Sequence, residues 1–161
     1  MVTGVIIPAD ERLAVSQHEF NNLRDYQKVV GGLIEAIDLD PPAMTFFAND
    51  EAKLIGLPIN RRATILWWLH SPATYGFDVL SGDAVLVGQP DQHGDTQSAP
   101  AVFISLLMNT PSFKVEVQTS GPDTPWYGND MRFEDYFTAA LYAADLTHRW
   151  TQVTRAHVVA A

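Results

Sequence analysis

The chain has 161 residues, of which 47% are hydrophobic, and 19 acidic side chains outnumber 10 basic ones. A chain of this length buries a core without covalent staples, and the absence of cysteine excludes disulfides and thiolate metal sites. The net charge of −9 disfavours nonspecific nucleic-acid binding, because an acidic surface does not attract a phosphate backbone.

The first part of the chain has the patterns of several short strands and a helix. Strands are predicted at residues 2–7, 13–15, 33–39, 44–48 and 84–87. Ser16 and Glu19 have the spacing of a capping box, in which the two side chains bond open amides at a helix start. A helix is therefore predicted over about residues 17–31, and Gly31 ends it by taking the left-handed cap conformation.

The second part of the chain begins after a polar stretch. Residues 91–100 are interpreted as a linker or exposed loop because glycine, proline and polar residues dominate there. Apolar and polar side chains alternate over residues 113–118, which is the pattern of an amphipathic strand. A helix is predicted over about residues 134–149, where acids at the start and bases at the end suit the helix dipole. Alternation over residues 155–160 predicts a final strand.

These elements predict an α+β fold. Residues 1–90 are expected to form a mixed, mostly antiparallel sheet with one or two helices. Residues 101–161 are expected to form a small β-β-α-β unit after the loop. The sequence leaves open whether the two parts share one core.

The first candidate site is the segment Asn60, Arg61 and Arg62. Asn60 is predicted to cap a helix that runs to His70, although the short apolar run at residues 65–69 also fits a buried strand. The two residues after Asn60 are the only adjacent basic pair in the chain. Arginine at a helix start can bind a phosphate or a carboxylate. The alternative interpretation is a capping asparagine followed by two solvated arginines.

The second candidate site combines aromatic and arginine side chains. Its members are Trp126, Tyr127, Arg132, Arg149 and Trp150. Tryptophan, tyrosine and arginine are enriched among the residues that dominate binding energy in protein–protein interfaces. The alternative interpretation is ordinary packing, with the first tryptophan covering the last helix and the second anchored in the core.

The location of the protein is predicted from two absences in the sequence. The longest nearly apolar run, residues 101–108, is far shorter than the ~20 residues of a membrane span. The residues that follow Met1 lack the basic segment of a secretory signal. A cytoplasmic protein without membrane contact is expected.

Two stretches resemble known sequences. Residues 25–88 resemble a family of domains of unknown function. The resemblance rests on the segments VVGGLIE (29–35), NDEAKLIGLPINRRAT (49–64) and GDAVLVG (82–88). That family is common in actinobacteria and in their phages and plasmids. Residues 126–159 are similar to a segment that recurs in small actinophage proteins. This similarity rests on the runs WYGNDMRF, AALYAADLTHRW and RAHVV. The resemblance implies a mobile element acting in an actinobacterial host and transfers no catalytic residue.

Three functions follow as hypotheses. The leading one is a nonenzymatic accessory protein of a phage or mobile element that binds an unknown host or phage protein. The first alternative is a small-ligand or nucleotide-binding protein or enzyme that uses the Asn60–Arg62 turn. The second is an acidic mimic of DNA. No catalytic residue, cofactor or metal ligand is predicted, and homo-oligomerisation through an uncovered sheet edge is a further expectation.

Overall fold

A computed structural model describes all 161 residues and confirms the α+β class. The strands are β1 (Val2–Ile7), β2 (Ser16–Phe20), β3 (Ile34–Leu39), β4 (Met44–Asn49), β5 (Ala84–Gly88), β6 (Phe113–Gln118), β7 (Tyr127–Gly128) and β8 (Arg155–Ala160). The helices are α1 (Leu23–Val30), α2 (Arg61–His70), α3 (Ala101–Asn109) and α4 (Tyr136–Arg149), and a short 3-10 helix covers Pro72–Thr74. None of the helices is long and apolar enough to cross a lipid bilayer.

The chain forms two compact units. The first contains residues 1–64 and 79–108, and the second contains residues 65–78 and 109–161. The boundary between them falls inside α2, after Thr64. Each unit has its own antiparallel sheet.

The first unit is built on a five-stranded sheet with the order β2-β1-β5-β4-β3. Strands β4 and β5 are buried along their whole length, as expected for the middle of a covered sheet. Helix α1 packs against β3, β4 and β5. Its Tyr26 stacks on Phe20 with ring centroids 4.7 Å apart and meets Phe47 edge-on at 4.8 Å. These rings form the core beneath α1 together with Val85 and Val87.

The start of the first helix was predicted wrongly. Residues 16–20 form strand β2, which pairs antiparallel with β1 from Val2↔Phe20 to Ile6↔Ser16, so residues 13–15 are not that strand. The N-cap of α1 is Asn22, six residues further on. Asn22 Oδ1 accepts a bond from the Asp25 amide at 3.2 Å, and Asp25 Oδ2 accepts one from the Asn21 amide at 2.7 Å. Both sites offer the same capping chemistry, and the second leaves β2 free to pair with β1.

The second unit contains the three-stranded sheet β7-β6-β8 with α4 packed on it. The predicted order of strand, strand, helix and strand is confirmed. Asp135 caps α4, since its side chain accepts a 2.8 Å bond from the Thr138 amide. A row of alanines on α4 is fully buried, which brings the helix backbone close to the strands.

Candidate functional site

The three-stranded sheet has one covered and one open face. The side chains of Phe113, Val115 and Val117 in β6 are buried. Helix α4 packs against β6, and its Tyr136 meets the Phe113 ring edge-on at 5.7 Å. Because side chains alternate along a strand, Lys114 and Glu116 lie on the opposite face and are only partly buried. This opposite face carries the charged and aromatic side chains of the unit.

Trp126 lies flat on that open face. Its indole is stacked on the His157 imidazole, with centroids 3.5 Å apart and ring planes 9° from parallel. The guanidinium carbon of Arg155 lies 5.3 Å from the indole centroid, within cation–π range. Arg155 and His157 are two residues apart in β8 and therefore point to the same side. We call Trp126, Arg155, His157 and Glu116 the tryptophan face.

The loop that carries Trp126 is held by hydrogen bonds from the sheet. Gln118 at the end of β6 is buried, and its Nε2 donates to the carbonyls of Pro122 at 3.1 Å and Thr124 at 2.8 Å. Thr154 Oγ1 donates to the Ser120 carbonyl at 2.7 Å, just before β8. The backbone just before Trp126 is therefore anchored to Gln118 and Thr154, which lowers the entropy that the indole would lose on binding.

His157 is hydrogen-bonded to Glu116 on the neighbouring strand. The two residues are register partners, and His157 Nε2 lies 2.9 Å from Glu116 Oε1. Burial lowers the pKa of His157 below its ordinary value, and this effect outweighs the Glu116 carboxylate, which acts in the opposite direction. At neutral pH the imidazole is therefore uncharged and donates its Nε2–H to the carboxylate. The other carboxylate oxygen lies 3.7 Å from Lys114 Nζ.

Arg155 and the backbone of β8 keep free binding capacity. The guanidinium of Arg155 is exposed and lies over the indole, and it forms no salt bridge with a carboxylate. Strand β8 is at an edge of its sheet, with β6 on one side and no strand on the other. A cation without a carboxylate partner thus lies at the start of an edge strand.

The other aromatic and arginine residues predicted with Trp126 have separate positions. Tyr127 is 57% exposed in β7, where it pairs with Val117. Arg132 Nη1 donates to the carbonyls of Asn129 and Met131 in its own loop. Both groups are exposed, and neither belongs to the stack that Trp126 forms with His157 and Arg155.

Arg149 and Trp150 end helix α4. The Arg149 side chain pairs with Asp145 one turn earlier at 2.6 Å, and Asp145 also accepts a 3.0 Å bond from the Tyr75 hydroxyl. Tyr75 in turn stacks on His148 with centroids 4.4 Å apart. Trp150 is the C-cap residue and is 44% exposed, so it is not anchored in the core. Arg149 therefore supports the end of its own helix.

The segment Asn60–Arg62 joins elements of the first unit through hydrogen bonds and an ion pair. Asn60 is fully buried, and its Nδ2 donates to the carbonyls of Ile7 at 2.7 Å and Gly82 at 3.0 Å. Its Oδ1 accepts the Ala63 amide at 3.0 Å, which confirms the predicted cap of α2. Arg61 is exposed and pairs with Glu11 at 3.1 Å.

Arg62 reaches back to the loop between β1 and β2. Its Nη2 donates to the carbonyls of Pro8 at 2.8 Å, Asp10 at 3.2 Å and Leu13 at 2.9 Å. These bonds hold together a loop that has no regular structure. The Arg62 guanidinium therefore stabilises the fold by bonding backbone carbonyls and is not directed at a ligand. Asn60 likewise has no free polar atom to offer a ligand.

Two residues of the tryptophan face, Arg155 and His157, were not among the predicted site residues. The alternation over residues 155–160 already placed them on one side of a strand, opposite the apolar Val158. The contact with Trp126 joins positions about 30 residues apart in the chain, so no local pattern in the sequence indicates it. Glu116 was likewise visible only as the polar member of the β6 alternation.

The fold places the chain among α+β proteins with two separate antiparallel sheets. The chain belongs to the DUF3846 family, a domain of unknown function whose family model matches residues 2–110. None of the curated proteins and none of the solved structures matches it. The predicted resemblance to a family of domains of unknown function is confirmed, and the match extends beyond the predicted residues 25–88. The second resemblance, over residues 126–159, and the actinobacterial origin stay predictions.

The family match divides the candidate residues into two groups. The whole five-stranded sheet and the Asn60–Arg62 turn lie inside residues 2–110. Trp126 and the strands β6, β7 and β8 lie beyond them. The tryptophan face therefore belongs to the part of this chain that the family description does not cover.

Proposed function

We propose that the protein is a nonenzymatic protein-binding module that binds an extended acidic segment of a partner along β8 and against Trp126. The observation that carries this proposal is the rigid stack of Trp126 on His157 beside an arginine without a carboxylate partner. Tryptophan and arginine are the residues on which binding energy concentrates in protein interfaces. Trp126 loses little freedom on binding because its loop is already held by Gln118.

The edge strand supports the extended form of the partner. Exposed sheet edges in proteins are usually protected by proline, lysine, bulges or short length, because a free edge pairs with other strands. Strand β8 is six residues long, contains neither proline nor lysine, and pairs with β6 in continuous register. A segment added to this edge would gain main-chain hydrogen bonds, and every second side chain of it would lie beside the tryptophan face.

Charge supports the acidic character of the partner segment. Arg155 is exposed and unpaired with any carboxylate, and at the next position on the same face the carboxylate of Glu116 already has two partners. A carboxylate from the partner would complete Arg155 with a charge-assisted hydrogen bond. The cation would then bind a carboxylate in addition to the indole.

The biological setting of the proposal rests on the sequence resemblance alone. We infer that the module is an accessory protein of a phage or mobile element and acts in the cytoplasm of an actinobacterial host. Its partner would be a host or phage protein with an exposed acidic segment. A second copy of this chain is the competing occupant of the same edge.

Selection from a library of displayed random peptides tests the proposal without knowledge of the partner. We expect enriched peptides that carry Asp or Glu beside alternating apolar residues. Their affinity should fall by about 2 kcal/mol, or roughly thirtyfold, in Trp126→Ala, as for an interface hot spot. Hydrogen exchange of the β8 amides should slow when a selected peptide binds, since strand addition protects main-chain N–H groups.

The matched control is Phe77→Ala. Phe77 is 85% exposed, belongs to the second unit and lies outside the three-stranded sheet, so its removal should leave peptide affinity unchanged. Circular dichroism establishes that both variants are folded. Selected peptides that bind folded Trp126→Ala as tightly as the original chain would contradict the proposed surface. Protected β8 amides in a protein that light scattering shows to be a dimer would assign the edge to a second copy instead.

A further inference from the structure

The side chains that β8 places on the side of the tryptophan face differ from one end of the strand to the other. Arg155 carries an exposed cation, His157 lies under the Trp126 indole, and Val159 is a partly buried aliphatic residue. The three β8 side chains point to the same side because side chains alternate along a strand. A segment bound along β8 would therefore meet a charged end and an apolar end. The inference below rests on the binding function proposed for β8 and concerns the direction and the side chains of the bound segment.

Two observations show which backbone groups of β8 are directed away from β6. The Ala161 amide donates to the Ser112 carbonyl at 2.9 Å, in continuation of the register between the two strands. Phe113, the next residue of β6, instead exchanges both of its backbone bonds with Phe133, at 2.8 and 2.9 Å. Successive residues of an antiparallel strand bond to opposite neighbours, so β8 bonds to β6 through residues 157, 159 and 161.

The backbone groups at the outer edge of β8 belong to Ala156, Val158 and Ala160. Their N–H and C=O groups point to the side of β8 on which the sheet has no further strand. An antiparallel segment would exchange two hydrogen bonds with each of them, and every second side chain of it would lie on the side of the tryptophan face. Antiparallel addition is favoured because parallel pairs are slightly less stable, and because β6 pairs antiparallel with both of its neighbours.

The imidazole of His157 disfavours a carboxylate beside it. Its Nε2 lies 2.9 Å from Glu116 Oε1, and the uncharged ring donates its one proton to that oxygen. The other ring nitrogen, Nδ1, then has no proton to donate to a ligand. One face of the ring is covered by the indole of Trp126, with centroids 3.5 Å apart. We therefore expect an apolar side chain of the bound segment opposite His157, packed against the edge of the two stacked rings.

The two ends of β8 favour different side chains in the bound segment. Arg155 forms no salt bridge, so an acid opposite it would form a charge-assisted hydrogen bond. Val159 is partly buried at the other end, and aliphatic side chains paired across two strands stabilise a sheet. Lys114 is the register partner of Val159 on β6, but its ammonium group already lies 3.7 Å from the Glu116 carboxylate. The cation without a carboxylate partner is therefore at the Arg155 end.

We propose that the partner segment runs antiparallel to β8 and carries the pattern apolar–x–apolar–x–acid, read from its amino end. The first apolar residue pairs with Val159, and the second lies beside His157. The acid binds Arg155. A parallel segment would need the same side chains in reverse order, so the sequence of a bound peptide reports its direction.

Two peptides of identical composition test the direction. TVTLTET carries the proposed pattern and TETLTVT carries it reversed, and both have capped ends and the same net charge. Binding is followed by the shifts of the β8 amide signals in NMR titrations. TVTLTET should bind about three- to tenfold tighter, as expected for one exposed charge-assisted bond. A nitroxide label at its amino end should broaden the amide signal of Ala160 more than that of Arg155, since five residues of strand separate them by about 17 Å.

A change of charge on both sides tests the contact with Arg155. The peptide TVTLTQT should bind the original chain about three- to tenfold more weakly than TVTLTET, and Arg155→Gln should bind the two peptides equally. Arg132→Gln is the matched control, because it removes an exposed cation that bonds carbonyls of its own loop. This variant should keep the preference for TVTLTET.

The outcomes separate this inference from the function on which it rests. Equal affinity for TVTLTET and TETLTVT, or strongest broadening near Arg155, would overturn the proposed direction and leave binding along β8 intact. A preference for TVTLTET over TVTLTQT that persists in Arg155→Gln would overturn the assigned partner of the acid. If neither peptide shifts a β8 amide signal, the proposed pattern is wrong, and the peptide-library selection separately decides whether the binding function fails with it.

Discussion

Replacement of Asn60 tests whether this residue acts as a helix cap or as a bridge between strands. In Asn60→Ala the Ala63 amide loses its acceptor, and the buried carbonyls of Ile7 and Gly82 lose their donor. The lost cap costs about 1 kcal/mol. Each of the two buried carbonyls left without a partner adds about 1–3 kcal/mol, so the free energy of unfolding should fall by about 3–7 kcal/mol in total.

The substitution Asn60→Asp separates the two roles. Aspartate is as good a cap as asparagine, so a residue that only caps would tolerate it with little change. At Asn60, however, a carboxylate oxygen would face the carbonyls of Ile7 and Gly82 in a fully buried site. We therefore expect Asn60→Asp to destabilise the protein at least as much as Asn60→Ala. Urea unfolding followed by circular dichroism measures both.

Asn22 provides the matched control. It caps α1 through Oδ1 in the same way, but it is exposed and its Nδ2 has no partner. Asn22→Ala should cost about 1 kcal/mol and Asn22→Asp close to nothing. If Asn60→Asp were as mild as Asn22→Asp, the bridging role of Asn60 would be refuted.

Two further predictions concern His157 and Gly88. The pKa of His157 is lowered in the folded protein, so the unfolded chain takes up the proton first as the pH falls below about 6.5. The contribution of His157 to stability is therefore present above that pH and is lost below it. Thermal unfolding between pH 7 and pH 5 should show a shallower loss of stability in His157→Gln than in the original chain. Gly88→Ala should destabilise the first unit by about 1–3 kcal/mol in urea unfolding, since the added methyl group would collide with the Ser98 carbonyl; unchanged stability would mean that the loop before α3 is not held against β5.

Local signals predicted most elements, and long-range pairing decided the rest. The cap at Asn60, the stop at Gly31 and the alternation in β6 each act over a few residues, so the sequence indicates them directly. Ser16 failed as a helix start because its segment is needed as the partner of β1. A single sequence does not show that requirement, since it depends on which edge of the sheet remains uncovered.

The candidate sites were predictable only in part. Trp126 was recognised by residue type, but the partners that give it an orientation are on another strand. Arg62 was interpreted as a ligand-binding or solvated side chain, whereas it bonds carbonyls about 50 residues earlier in the chain.

The position of β5 has a consequence for synthesis on the ribosome. In the first unit β5 lies between the β1–β2 pair and the β3–β4 pair, although it follows all four strands in the chain. A nascent chain that ends before Ala84 therefore holds two hairpins with no strand between them, each with an open apolar edge. Such intermediates attract chaperones and aggregate when many are present. The five-stranded sheet therefore closes only when residues 84–88 have left the exit tunnel, after both hairpins have emerged.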